Sequence, residues 1–176
     1  MSEKKRELRD PVEVFGDMFA KLYIYMAKEF VDSFGKEGED AVKRVLVKFG
    51  HDRGRELKGL HESLKIPISV KSLFEYYDLP SDSRFRRNPI ALTENIRFSQ
   101  TLVCPYQELW RKIAPDSPKL WPIYCDTVHQ AIFEGYLEDI VCELPKLLTK
   151  GDAFCQFEVY RKGHKGEIPK NEGDKK

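Results

Sequence analysis

Nowhere in the 176 residues does an apolar run approach the ~20 residues needed to cross a bilayer. The opening stretch, MSEKKRELRD, mixes charges of both signs and contains no apolar segment of the secretory kind. No membrane association and no export are expected, which leaves the reducing cytoplasm as the expected compartment. Net charge is also missing. Lys+Arg is 30 and Asp+Glu 29, a formal charge of +1, so the chain lacks the electrostatic footprint of a nucleic-acid binder. Its densest basic stretch, Arg84, Arg86 and Arg87, is too short to change that and reads as a solvated loop. Cysteine is scarce, at four residues, and none of it forms a C-x-x-C pair. In a reducing compartment these are free thiols, metal ligands or a nucleophile rather than disulfides. Internal repeats and shifts in composition that would mark a second domain are absent as well.

What remains is globular. A hydrophobic fraction of 41% and an aromatic fraction of 12% suit one folded domain. That domain is expected over residues 11–161, between charged, disordered tails at 1–10 and 162–176. Phe15, Met18, Phe19, Leu22, Met26 and Phe30 recur at helical spacing, with Pro11 suited to the helix start and Gly35 to its end. A second helix is predicted from Glu39 to Leu64, its apolar stripe formed by Val42, Leu46, Phe49, Leu57, Leu60 and Leu64. A third covers Val70 to Tyr77. Pro80 to Pro89 reads as a polar loop, and Leu92 to Val103 as a strand. Helices at 106–113 and 121–136 follow. The last elements are strands at 140–148 and 153–160, joined in a hairpin by Lys150-Gly151-Asp152. The fold class is therefore α+β: N-terminal helices packed with a small antiparallel sheet and one or two later helices. The first helix is rich in large apolar groups, with Tyr23 and Tyr25 off its main stripe, which suits either a homodimer or a monomer with scattered surface aromatics.

The chemistry concentrates in the C-terminal half. Cys125 and His129 stand one helical turn apart on one face, the smallest unit of a nucleophilic cysteine. The bland alternative is a buried structural cysteine beside a half-exposed histidine. Asp126 is turned about 100° away by the helical period and could orient a substrate amine. Cys104 begins a helix at Cys104-Pro105-Tyr106, where the dipole and free N–H groups are expected to lower a thiol pKa. Strand alternation puts Cys155, Phe157 and Val159 on one apolar, inward face. Nothing local distinguishes Cys142. Cys104, Cys125, His129 and Cys155 together have the composition of a Cys3His zinc or other divalent-metal site, although they come from separate elements. Along the second helix, His51, Gly54, Lys58 and His61 share a stripe that reads as solvated. Gly50, Gly54 and Gly59 are costly inside a helix and suggest close approach of a backbone or a ligand. Arg53, on the apolar stripe, is the candidate for a substrate carboxylate or for a structural ion pair.

Several of these pieces coincide with one family. Val103-Cys104-Pro105, Tyr124-Cys125-Asp126, the run Leu147-Leu148-Thr149-Lys150-Gly151-Asp152-Ala153-Phe154-Cys155-Gln156-Phe157, and the upstream helix with Gly50 and Gly54 span roughly residues 40 to 160. Together they resemble the L-2-amino-thiazoline-4-carboxylic acid hydrolase family. The final hairpin is also similar to the end of the 4-vinyl-reductase domain, a small-molecule-binding fold. The family resemblance implies a hydrolase that opens a C–N bond of a small cyclic amidine, in the namesake case converting 2-amino-thiazoline-4-carboxylate to N-carbamoyl-cysteine. It carries over to Cys104, Cys125, Asp126 and Cys155. His129 is drawn in by local geometry and Arg53 by its place on the stripe. On this reading Cys125 attacks or activates water, His129 moves protons, Asp126 steers the amidinium, and Cys104 and Cys155 complete the site. Two alternatives stand beside it: a non-catalytic small-molecule sensor domain, and an accessory protein whose thiolates hold zinc or an iron–sulfur centre.

Overall fold

The computed structural model describes residues 9–79 and 81–169. Of the expected tails, residues 1–8 and 170–176 lie outside the described residues, whereas 162–169 are described and include a short 3-10 turn at Lys165–Glu167 with Lys165 paired to Glu143. Helix α1 runs Pro11–Ser63, α2 Val70–Glu75, α3 Pro105–Ile113 and α4 Trp121–Tyr136. Strands β1 (Arg86–Leu92), β2 (Ile96–Val103), β3 (Ile140–Lys146) and β4 (Cys155–Arg161) form an antiparallel sheet in the order β1-β2-β4-β3. The architecture is α+β, as expected.

Helix α1 begins where Asp10 accepts hydrogen bonds from the Val12 and Glu13 N–H groups, with Pro11 in the first turn. It breaks at Gly35, whose φ of 57° and ψ of −127° no helix contains. The two predicted helices are thus one long element with a glycine joint. Gly38 then sits against the Phe30 carbonyl, where a Cβ would lie 2.0 Å from the oxygen.

The face of α1 that enters the core differs from the expected one. Ala20, Tyr23, Ile24 and Ala27 are buried. The bulky stripe of Phe15, Met18, Leu22 and Met26 faces outward, with Phe15 71% exposed. In the second half of the helix Val42, Leu46 and Leu57 are buried as expected, while Phe49, Leu60 and Leu64 are exposed. The reason lies in helix α4. A Cβ on Gly50 would stand 2.5 Å from the Ala131 Cβ, and one on Gly54 2.1 Å from the Ile132 carbonyl oxygen. From the other side, a Cβ on Gly135 would stand 2.6 Å from the His51 carbonyl. In the second half of α1 the small residues therefore face α4, whereas in the first half Tyr23 and Ile24 pack with Trp110, Leu120 and Trp121, and the Tyr23 hydroxyl donates to the Leu120 carbonyl. Gly59 has nothing within 4 Å and plays no part. His61, expected to be solvated, is buried and bonded through its ring nitrogens to the Tyr136 hydroxyl (2.8 Å) and the Tyr76 carbonyl (3.0 Å).

The expected loop at 80–89 contains the start of a strand. Strand β1 is an edge strand with Pro89 inside it and two shifts of register against β2. Its residues are nearly all exposed, so no buried alternation announces it. Ahead of it, Arg84 is bonded to Asp82 (2.6 Å) and Asp17 (2.8 Å), which fastens this segment to the start of α1. The other edge, β3, carries Pro145 and a register shift between Glu143 and Lys146.

Candidate active site between α4 and the sheet

Helix α4 lies between α1 and the sheet. Gln130 ties it to β3, donating to the Ile140 carbonyl (3.2 Å) and accepting from the Cys142 N–H (2.7 Å). The strand register decides which side chains meet it. Thr101 pairs with Cys155, Ser99 with Phe157, and Arg97 with Val159. Cys142 also pairs with Val159, and Arg87 with Thr101. Paired residues point to the same face. Val159 packs with Val128 and Ile132 of α4, and Cys155 with Cys125, so this face is the one turned to α4. It is unusually polar for a sheet–helix interface.

Three of the thiols gather here. Cys125 and Cys155 share a cluster with Leu147. Cys104 is close enough to both that a charge on its sulfur would raise their pKa values. The Leu147–Phe157 run builds the floor. Gly151 adopts φ 98°, open to glycine at no steric cost, and the Asp152 carboxylate accepts from the Leu147 N–H at 2.7 Å. The turn between them leaves the Leu148 N–H donating to Cys155 Sγ at 3.3 Å. It also buries Thr149, whose hydroxyl is sealed from solvent with no hydrogen bond formed and lies near enough to Cys125 to stabilise its thiolate.

Burial dominates the thiols. Cys125 is pushed well above its ordinary pKa by desolvation, with Cys104 and Cys155 adding to the rise. Cys142 is pushed up to about 12 and Cys155 to about 11, for the same first reason. At Cys104 the expected helix N-terminus effect is present, since the Gln107 and Tyr106 N–H groups and Arg87 all favour the thiolate. Desolvation outweighs them, and the pKa is raised, against the sequence expectation.

His129 stands one turn from Cys125 as expected, but the two side chains do not pair. Its Nδ1 hydrogen-bonds to the Cys125 carbonyl at 3.0 Å. The imidazole meets the Phe157 ring at 5.0 Å between centroids. With a proton on Nδ1, Nε2 keeps its lone pair. That atom has no protein partner among the described residues and is not sealed from solvent. Desolvation lowers the His129 pKa, and Arg87 and Arg97 lower it further.

Asp126 lies outside this interface, exposed and paired with Lys150 at 2.9 Å. Arg53 takes the structural course: it ion-pairs with Asp78 and lies 5.5 Å from the Tyr77 ring centroid. Among the described residues no three His, Cys, Asp or Glu side chains converge as a metal site, so the Cys104, Cys125, His129 and Cys155 set is not gathered as a ligand cage. What the sequence reading missed are Arg87 and Arg97, the hydroxyls of Ser99 and Thr101, and Thr149. A signal existed in β2, where Arg97, Ser99 and Thr101 alternate as a polar set on one face.

The sequence pattern of the L-2-amino-thiazoline-4-carboxylic acid hydrolases matches residues 16–159. The chain belongs to this hydrolase family. The match takes in α1 from its second turn, the whole sheet as far as Val159, and all four thiols. No curated protein sequence matches the chain. Among solved structures, this family member is similar to a trafficking protein particle complex subunit 3 from Naegleria fowleri covalently bound to palmitic acid. The TM-score is 0.57 at 15% identity, over 85% of this chain and 96% of that one. It is also similar to the phenol-responsive sensory domain of the transcription activator PoxR with phenol, with a TM-score of 0.50 at 12% identity, over 95% of this chain and 84% of that one. At such identities the likeness is one of fold alone. No helix among the described residues is long and apolar enough to cross a membrane.

Proposed function

We propose that this family member hydrolyses a small, cyclic, amidine-like substrate such as a 2-amino-thiazoline-carboxylate, held between α4 and the sheet. The observation that carries the reading is the His129 imidazole, fixed through Nδ1 beside the thiol cluster, with no partner for Nε2 among the described residues. A histidine whose pKa lies below 6.5 stays unprotonated at neutral pH and can take a proton from water. Water then adds to the sp² carbon between nitrogen and sulfur. Collapse of the adduct passes its hydroxyl proton to the ring nitrogen, breaks the ring carbon–sulfur bond and leaves a carbamoyl group, and the imidazolium returns its proton to the departing sulfur. Both nitrogens stay on the carbon, so the bond opened in forming an N-carbamoyl thiol is C–S and not C–N.

Activated water is favoured over attack by Cys125, because that thiol is pushed well above its ordinary pKa and the imidazole bonds its carbonyl instead of its sulfur. Cys125, Cys155 and Thr149 shape the floor, while Cys104, half-buried at the start of α3, borders the substrate. Four free thiols suit a reducing, cytoplasmic setting. The test is mass spectrometry of 2-amino-thiazoline-4-carboxylate and related cyclic amidines incubated with the protein. The expected product is heavier by one water and is lost with His129→Asn.

A second reading, a binding domain without catalysis, draws on the raised pKa of all four thiols and on the two similar structures, which hold palmitic acid and phenol. It expects saturable binding and no product in the same experiment.

A further inference from the structure

Arg97 occupies the middle of β2 on the face turned to α4 and is half-buried. A buried arginine is ordinarily matched by a carboxylate. This one has no ion pair and no side-chain hydrogen bond among the described residues. Its guanidinium instead lies 3.9 Å from the centroid of the Phe74 ring. Stacking on a ring occupies the flat face of a guanidinium and leaves its N–H edge free. Arg87, on the same face of β1, is exposed and also stacks, 4.1 Å over Phe85, with no ion pair among the described residues, although Asp82 is near enough to favour its charge. The two cations are near enough to depress each other's neighbours: Arg87 disfavours the charge on Arg97, and both disfavour it on His129. Two further groups share the face. The Ser99 and Thr101 side chains are 2% and 8% exposed, their hydroxyls make no hydrogen bond among the described residues, and neither oxygen is sealed from solvent. Two cations without ion pairs and two hydroxyls without hydrogen bonds, among the described residues, thus share the face on which His129 meets Phe157.

We propose that Arg97 and Arg87, with the Ser99 and Thr101 hydroxyls, form a subsite for the carboxylate of a small anionic substrate, the position that sequence reasoning gave to Arg53. The inference rests on the hydrolase reading for what happens next to the carboxylate, but not for its binding. A planar carboxylate meets the free edge of a guanidinium bidentately, and its charge completes the set of donors. Anchoring by the carboxylate would leave the rest of a small ring toward the imidazole.

The experiment is calorimetric titration of the full chain with 2-amino-thiazoline-4-carboxylate and with its uncharged carboxamide. It compares wild type, Arg97→Gln, Arg97→Lys and Arg86→Gln, the last on an exposed neighbour outside the subsite. Loss of a charge-assisted pair weakens binding by roughly 10- to 100-fold. That loss is expected for the carboxylate with Arg97→Gln and in part with Arg97→Lys, while the carboxamide binds weakly to every form. Because Arg97 lacks a counter-ion, Arg97→Gln is also expected to melt no lower than wild type, which a merely structural arginine would not allow. Equal binding of carboxylate and carboxamide, unchanged affinity in Arg97→Gln, or no carboxylate binding to wild type overturns the subsite. Arg97-dependent binding without any product overturns the hydrolase reading and leaves the subsite standing. Turnover with an unchanged KM in Arg97→Gln does the reverse.

A different observation carries a second inference. Phe15, Met18, Phe19, Leu22, Tyr25, Met26, Phe30 and Phe34 are all exposed along one side of α1 before its break. At ~200 Å² for each large side chain, their exposed fractions leave on the order of 850 Å² of apolar surface open. A monomer's largest patch is about 300–600 Å², whereas each half of a stable interface is roughly 800 Å². Four of the eight residues are placed symmetrically about residue 24: Leu22 mirrors Met26, and Met18 mirrors Phe30. We infer that this face pairs antiparallel with the same face of a second copy, the self-complementary form that a twofold contact requires. Sedimentation of the full chain should give a dimer, and Leu22→Asp a monomer with unchanged circular dichroism. A wild-type monomer at micromolar concentration, or a Leu22→Asp dimer, overturns it.

Discussion

Replacing Gly54 by alanine would drive a methyl group into the backbone of α4. The added Cβ would stand 2.1 Å from the Ile132 carbonyl oxygen, 2.7 Å from the Tyr136 nitrogen and 2.8 Å from the Gly135 carbonyl carbon. None of these is a side chain that can rotate away, so the two helices must part. Overpacking of a tight core costs about 1–3 kcal/mol, and a clash with fixed backbone belongs at the upper end. Alanine recovers about 1 kcal/mol of helix propensity over glycine. The balance is a loss of about 2 kcal/mol, or ~4–8 °C in melting temperature at 2–4 °C per kcal/mol for a chain of this size. Gly59 provides the internal control. It lies in the same helix, exposed, with nothing within 4 Å of an added Cβ. Gly59→Ala therefore gains the propensity without the clash and should melt ~1–4 °C higher. Thermal unfolding followed by far-UV circular dichroism reads both. Shifts of the same sign, or a Gly54→Ala protein as stable as wild type, would refute the backbone-to-backbone packing of α1 on α4.

The His129 pKa is lowered by desolvation, so the acid limb of kcat/KM should lie below 6.5. The same shift makes the unfolded chain the better proton acceptor. Stability should therefore hold above pH 6.5, fall as the pH drops through it, and stop falling below the folded-state pKa, as urea midpoints across pH would show. Cys125→Ser should keep measurable turnover where His129→Asn keeps none, and equal loss would restore the sulfur as nucleophile. With Cys142 pushed up to about 12 and Cys155 to about 11, both should resist iodoacetamide at neutral pH in the folded protein and react on unfolding, which peptide mass mapping would follow. His61→Phe removes one buried and one part-buried hydrogen bond and should cost about 1–3 kcal/mol in urea unfolding with kcat/KM unchanged.

Much of the fold was legible because local chemistry and tertiary packing agree there. Pro105 sits in the first turn of α3, Gly35 stops a helix, and β3 and β4 pair antiparallel across the stretch that holds Lys150-Gly151-Asp152. Gly50 and Gly54 announced a close neighbour through their cost. Periodicity failed at α1 because it reports that a helix has an apolar side and not which side is covered. Two such sides exist before Gly35, and the one with Ala20, Tyr23, Ile24 and Ala27 is the one covered by Trp110, Leu120 and Trp121. Strand β1 was illegible because it is an edge strand in which nearly every residue is exposed, so no buried alternation marks it. In the candidate site, the motifs pointed to the cysteines that gather, and helix spacing pointed to His129. The hydrogen bond that turns the imidazole from sulfur to carbonyl is a rotamer choice, which spacing cannot fix. Arg97 was hidden by belonging to a strand read for its apolar residues.

Both edges of the sheet carry a proline and a shift of register, Pro89 on β1 and Pro145 on β3. A proline offers no N–H to an incoming strand, and a slipped register spoils the even ladder that such a strand would copy. Fibril growth by strand addition is therefore blocked from either side, although the chain exposes a broad greasy helix. Crowding and heating should accordingly drive this protein toward helix-mediated clumping, soluble again on dilution, before it makes anything that binds amyloid dyes.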